Sequence, residues 1–162
     1  MPHMPSVPVE KVLEFMQVLW ALDHALQERS KSMFSRIGVT SPQRLALRII
    51  HSQPGISSGE VAEKLFLDPS TLTGVLQRLE TRGLLVRKKD KEDARRALLS
   101  VTAAGKALLG QSAHTVEVVV REALESEKGR SIRKVTAVLA NLTEKLKAAP
   151  HPKQKRGRRA SA

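Results

Sequence analysis

The chain has no cysteine and no tyrosine, and only one tryptophan and three phenylalanines among its 162 residues. Without thiols there are no disulfides, thiolate metal sites or thiol-based redox sensing. With so few rings, the aromatic platforms on which single-stranded bases stack are excluded as well. No apolar run approaches the roughly 20 residues a membrane helix needs, and the opening MPHMPSVPVE lacks the basic start and apolar stretch of a secretory signal. Acids are in deficit: 16 Asp and Glu stand against 28 Lys and Arg, giving a formal charge of +12 at pH 7. That imbalance favours an anionic partner, either nucleic acid or an acidic membrane surface, and composition alone does not choose between them. No nucleophile–base–acid set or phosphate loop is visible, so neither an enzyme nor a cofactor is expected. His24, His51 and His114 lack partners at zinc-site spacing, so no metal is expected either. A soluble, intracellular protein with no membrane-spanning segment fits these absences.

What is present is mostly helical punctuation. Three prolines in residues 2 to 8 mark residues 1–8 as an unstructured lead. Apolar residues then recur near helical spacing from Val9 through Val12, Met16, Trp20 and Met33 to Ile37, predicting one long helix over about 9–35. Gly38 supplies a turn, and Thr40 with Gln43 forms a reciprocal cap for a second helix that runs to about Ser52. Ser57 with Glu60 starts a short third helix. A fourth is bounded by Asp68 as N-cap, Pro69 at the first helical position and Gly83 past the end. Leu72, Val75, Leu76 and Leu79 form its buried stripe, which leaves Ser70, Thr71, Thr73, Gly74, Gln77 and Arg78 facing elsewhere. LLVRK and ALLSV then predict a hairpin, the only β structure expected. Thr102 caps a fifth helix reading continuously through TAAGKALLGQSAHTVEVVVREALESE, and a sixth follows from about Ser131 to Leu146. The basic, aperiodic end AAPHPKQKRGRRASA predicts a disordered tail that is either solubilising or a non-specific phosphate binder.

Two short helices joined by a tight turn, the second presenting small polar side chains, have the dimensions of a helix-turn-helix, and the hairpin makes it winged. Ser70, Thr71 and Thr73 suit phosphate binding at a helix N-terminus, through hydroxyls and exposed N–H groups. Gln77 can pair with an adenine edge and Arg78 with guanine or phosphate. Gly74 costs helix stability unless something approaches its backbone closely. The competing reading is an ordinary amphipathic helix with a polar solvent face. Between the strands, Lys88, Lys89, Lys91, Arg95 and Arg96 are interleaved with Asp90, Glu92 and Asp93, which reads as a charged wing tip or a solvated hairpin end.

These segments resemble the multiple-antibiotic-resistance regulator (MarR) family of winged-helix transcription factors over residues from about 10 to 146. The most specific part is the wing signature Asp-x-Arg-x-x-x-Leu-x-Leu-Thr-x-x-Gly, met by Asp93, Arg95, Leu99, Thr102 and Gly105, with Val101 in place of the second Leu. LDPSTLTGVLQRLETRGLLVR is similar to the family's recognition-helix region and VTSPQRLAL to its second helix. The resemblance implies a mainly α fold with a small β-hairpin wing. Its parts are an N-terminal dimerisation helix at 9–37, a DNA-binding lobe at 38–101, C-terminal dimerisation helices at 102–148 and the tail at 149–162. It also implies a homodimer on pseudo-palindromic double-stranded operator DNA, probed by Arg95 in the minor groove with Asp93 holding it; Lys88, Lys89, Lys91 and Arg96 then read as backbone contacts.

Dimerisation follows from the residues too, because the long apolar stripes of the first, fifth and sixth helices exceed what one small lobe can bury. The alternative is a monomer with a helical extension. Many relatives implied by the resemblance are repressors released by a small aromatic or phenolic anion. Trp20, Asp23, His24, Arg44 and His51 lie on helices that could line such a site, with Trp20 stacking and Arg44 pairing a carboxylate. Trp20 also reads as plain core, and Arg44 as a surface or phosphate-contacting charge. A winged-helix protein-interaction module, or a non-specific DNA binder without ligand response, is the competing function.

Overall fold

The structure, a computed structural model, describes residues 7–90 and 97–149. The chain divides into two compact units, residues 1–123 and 124–162. The described residues form seven helices and three strands: α1 Val9–Ile37, α2 Ser41–Ser52, β1 Ile56–Ser57, α3 Ser58–Leu65, α4 Pro69–Thr81, β2 Leu85–Lys89, β3 Ala97–Val101, α5 Ala103–Gly110, α6 Val116–Leu124 and α7 Gly129–Ala148. The sheet is antiparallel in the order β1-β3-β2.

One core organises the first unit. Leu47 and Ile50 of α2, Val61 of α3, Leu72, Leu76 and Leu79 of α4, Leu85 of β2 and Leu99 of β3 meet in it, with Leu108 and Leu109 of α5 closing one side. The predicted stripe of α4 is therefore its buried face. Both ends of α4 are locally determined. Asp68 accepts the N–H groups of Ser70 and Thr71 at 3.1 and 3.0 Å. At the other end, Gly83 turns left-handed at φ +65°. There the Gly83 N–H reaches Glu80 O and the Leu84 N–H reaches Leu79 O, both at 2.9 Å, closing the helix in a Schellman motif.

Three expectations need correction. The hairpin is joined by β1, whose Ile56 and Ser57 pair with Leu99 and Leu98. The predicted fifth helix is broken: α5 ends at Gly110, and the chain passes through His114 at φ +56° before α6 begins at Val116. Trp20, weighed as core, is 67% exposed in the single chain. Along α1, Val12, Leu13, Phe15, Met16, Val18 and Leu22 are also exposed, and only Ser30 and Met33 are buried.

The second unit holds α7, which is amphipathic but buries no residue, with Val135, Val138 and Leu146 exposed.

Candidate nucleic-acid interface and adjoining crevice

With its apolar stripe in the core, α4 turns Ser70, Thr71, Thr73, Gln77 and Arg78 to solvent. Gly74 lies between them with no atom within 4 Å of where a Cβ would stand, so the floor of this face is open. The structure brings these six candidates onto one surface, but it changes what the hydroxyls can do. Ser70 Oγ donates to Asp68 Oδ1 at 2.5 Å, Thr71 Oγ1 to Asp68 Oδ2 at 2.6 Å, and Thr73 Oγ1 to Pro69 O at 2.7 Å. The donors expected to receive phosphate are committed to one carboxylate and one carbonyl. The hydroxyl bonds from Ser70 and Thr71, then their backbone N–H groups, hold the Asp68 carboxyl far below the usual carboxylate range, so it is ionised at physiological pH.

The wing grows directly from α4. Lys88 and Lys89 lie exposed on β2, while Lys91, Asp93, Arg95 and Arg96 lie outside the described residues. At its base, Arg87 Nε donates to Glu80 Oε2 of α4 at 2.9 Å. The described half of the wing signature has a packing role. Leu99 is fully buried. Thr102 Oγ1 donates to Gly83 O at 2.6 Å and accepts the Gly105 N–H at 3.1 Å. Gly105 sits so close to the strand start that a Cβ there would lie 2.3 Å from Leu84 O.

On the opposite side of α2, the broken helix is held by arginines. Arg44, expected at a ligand site or on the surface, is 1% exposed. Its Nη1 and Nη2 donate to Leu108 O and Leu109 O at 3.0 and 3.1 Å, and its Nε donates to Glu117. Arg48 reaches Leu109 O and the same Glu117 oxygen, each at 3.3 Å. Arg36 donates to Ala113 O at 3.1 Å. Where α5 stops, Leu109 O and, beyond it, Ala113 O thus find cationic donors, and Leu108 O accepts Arg44 beside the Gln111 N–H. Partial burial pushes the Glu117 carboxyl upward. The bonds from Arg44 and the backbone N–H, with the Arg44 charge, outweigh that and leave it below its ordinary value.

A crevice of about 470 Å³ adjoins this cluster, with mostly apolar walls from Leu26, Leu45, Leu65, Leu67 and Val120 and polar groups from Asp23, Gln27, Arg48 and Glu117. Of the ligand-site candidates, only Asp23 lines it. Trp20, His24 and His51 stand exposed elsewhere, and Arg44 is sealed behind Glu117. Arg48 was missed, although its position one helical turn after Arg44 could have drawn attention to it. Ser41 Oγ, also at this crevice, is buried and unpartnered among the described residues.

Comparisons with known proteins agree with this architecture. The sequence model of the MarR family matches residues 39–97. The chain is 31% identical over 129 residues to the organic hydroperoxide resistance transcriptional regulator of Bacillus subtilis (strain 168), covering 80% of this chain and 86% of the relative. Its fold is similar to that of the Staphylococcus aureus MepR–DNA complex, with a TM-score of 0.67 at 19% identity over 82% of this chain and 97% of that one. It is also similar to the Streptomyces coelicolor PcaV regulator in complex with its natural ligand, with a TM-score of 0.64 at 27% identity over 90% and 99% of the two chains. The chain belongs to the MarR family of winged-helix transcriptional regulators.

Proposed function

We propose that the protein is a homodimeric, sequence-specific repressor that leaves its operator when a small aromatic or phenolic ligand occupies the crevice beside α2. The observation that carries the DNA-binding part is the outward face of α4: an open, polar surface backed by a saturated apolar stripe and followed at once by a basic hairpin. The resemblance to a regulator solved on DNA supports the same reading. In this arrangement α4 enters the major groove, Gln77 and Arg78 contact base edges, and Lys88 and Lys89 contact the backbone. Lys91, Arg96 and the Arg95–Asp93 pair extend that contact toward the minor groove.

The exposed apolar length of α1 supports the dimer, since contiguous apolar surface of this kind marks an interface. Residues 9–37 and 102–148 serve as the dimerisation helices and 38–101 as the DNA-binding lobe, and twofold symmetry places the two recognition helices one DNA turn, ~34 Å, apart. Ligand release is supported by the crevice, whose Leu65 ends α3 and whose Leu67 lies in the turn before α4. The relative solved with its natural ligand adds to that support. Arg48 replaces Arg44 as the cation able to meet a carboxylate. The site of action is the cytoplasm, on the nucleoid.

A gel shift on DNA upstream of the protein's own gene tests the reading, titrated with salt and with specific against random competitor. Preference for that DNA by about a thousandfold or more over random sequence is expected. Equal affinity for both DNAs overturns the repressor and leaves a non-specific binder or an interaction module.

A further inference from the structure

Resting on the reading that α4 enters the major groove, we propose that Asp68 makes the leading half of that helix an acceptor surface. Ser70, Thr71 and Thr73 then read exocyclic amino groups, adenine N6 or cytosine N4, and do not anchor phosphate.

A hydroxyl carries one proton and two lone pairs. An ionised carboxylate and a carbonyl can only accept, so in the contacts to Asp68 and to Pro69 O the hydroxyls must be the donors. Each therefore turns only lone pairs toward whatever lies outside. The N–H groups of Ser70 and Thr71, which would otherwise receive an anion at a helix start, are held by the same Asp68 oxygen. A DNA phosphate offers lone pairs alone, so it gains no hydrogen bond here and meets the Asp68 charge. To serve it, Ser70 or Thr71 would have to abandon a charge-assisted bond, and Thr73 its bond to Pro69 O.

The major groove presents hydrogen-bond donors in just one form, the amino groups of adenine and cytosine. The open floor at Gly74 lets base edges come close to the helix, and the threonine methyls can lie against thymine methyls. One turn further on, Gln77 and Arg78 supply the donors that guanine and adenine N7 require. The face is thus ordered along its length, acceptors first and donors after.

Selection from a randomised duplex pool by the full chain, compared with Thr71→Val, Ser70→Ala and Asp68→Asn, tests this. The wild-type chain is expected to enrich adenine or cytosine under the leading half of α4. Thr71→Val should lose that preference at one position, with discrimination falling from about tenfold to near one, and keep the salt slope of binding. Replacing the selected base by an analogue without its amino group should weaken the wild-type chain about tenfold and Thr71→Val not at all. Asp68→Asn retains the capping oxygen that Ser70 uses and puts an amide nitrogen where Thr71 Oγ1 donates. It frees the Thr71 proton, so it should relax the preference at that position and, by removing a negative charge, steepen the salt slope by about one unit. A selected sequence that survives Thr71→Val and Ser70→Ala, with affinity falling about equally for every duplex, overturns this inference alone. A wild-type chain that selects no sequence overturns the DNA-reading function and this inference with it.

Discussion

Helices α1 and α4 have comparable apolar periodicity and opposite fates. The stripe of α4 is sealed within its own chain, with Leu72, Leu76 and Leu79 at most 1% exposed. That of α1 lies open, from Val9 at 67% exposed to Trp20 at 67%. An amphipathic pattern states that a face needs cover and says nothing of which chain supplies it. For α4 the cover is the lobe itself. For α1 the proposed dimer would supply it from a second subunit.

Substitutions on the two helices and around them test this contrast. The largest effect is expected at Arg44→Ala, which removes the donor shared by Leu108 O, Leu109 O and Glu117. Loss of a buried, fully bonded charge should cost about 3–5 kcal/mol in denaturant unfolding, whatever the protein concentration. Leu76→Ala, in the sealed stripe, should cost about 2–5 kcal/mol, again independent of concentration. Trp20→Ala should leave the lobe's own stability nearly unchanged and weaken association by about 2 kcal/mol, roughly thirtyfold in the dimer dissociation constant by sedimentation. A Trp20 variant as unstable at high dilution as Leu76→Ala would collapse the distinction between the two helices.

Smaller effects follow at the surface. Glu117 has its folded-state pKa lowered from the ordinary value of 4.5, so its contribution is present above that value and is lost as pH falls through the folded pKa. Glu117→Gln should therefore flatten the acid limb of the stability profile in that window, measured by thermal unfolding from pH 7 downward. Smallest is the Glu80–Arg87 bridge, whose side chains are 40% and 30% exposed. Glu80→Ala should cost about 0.2–1 kcal/mol at low salt and less at high salt.

Much of the lobe was legible in the sequence because its signals are local. Asp68, Pro69 and Gly83 act within a turn of themselves, and α4 begins and ends where they require. The break between α5 and α6 was not legible, because AAGKALLGQSAHTVEVVV offers no proline and continues a helical pattern. The arginines that hold it stand on α1 and α2, with Arg44 lying 64 positions before Leu108. Arg44 was misread for the same reason: its partners exist only because a distant helix stops. Two residues are too few for β1 to show strand alternation, and Ile56 is identified as strand only through its pairing with Leu99. In the candidate site, residue types were legible and hydrogen-bond direction was not. Ser70 and Thr71 look like donors until the orientation of Asp68 is known.

Gly105 carries a mechanical consequence. With no side chain at that position, α5 rests directly on the backbone at Leu84, where α4 gives way to β2, and Thr102 fastens the joint from both directions. The hairpin root, the end of α4 and α5 therefore meet backbone to backbone at one joint. A side chain at position 105 has no rotamer that relieves the clash with Leu84 O, so Gly105→Ala must part α5 from the strand start.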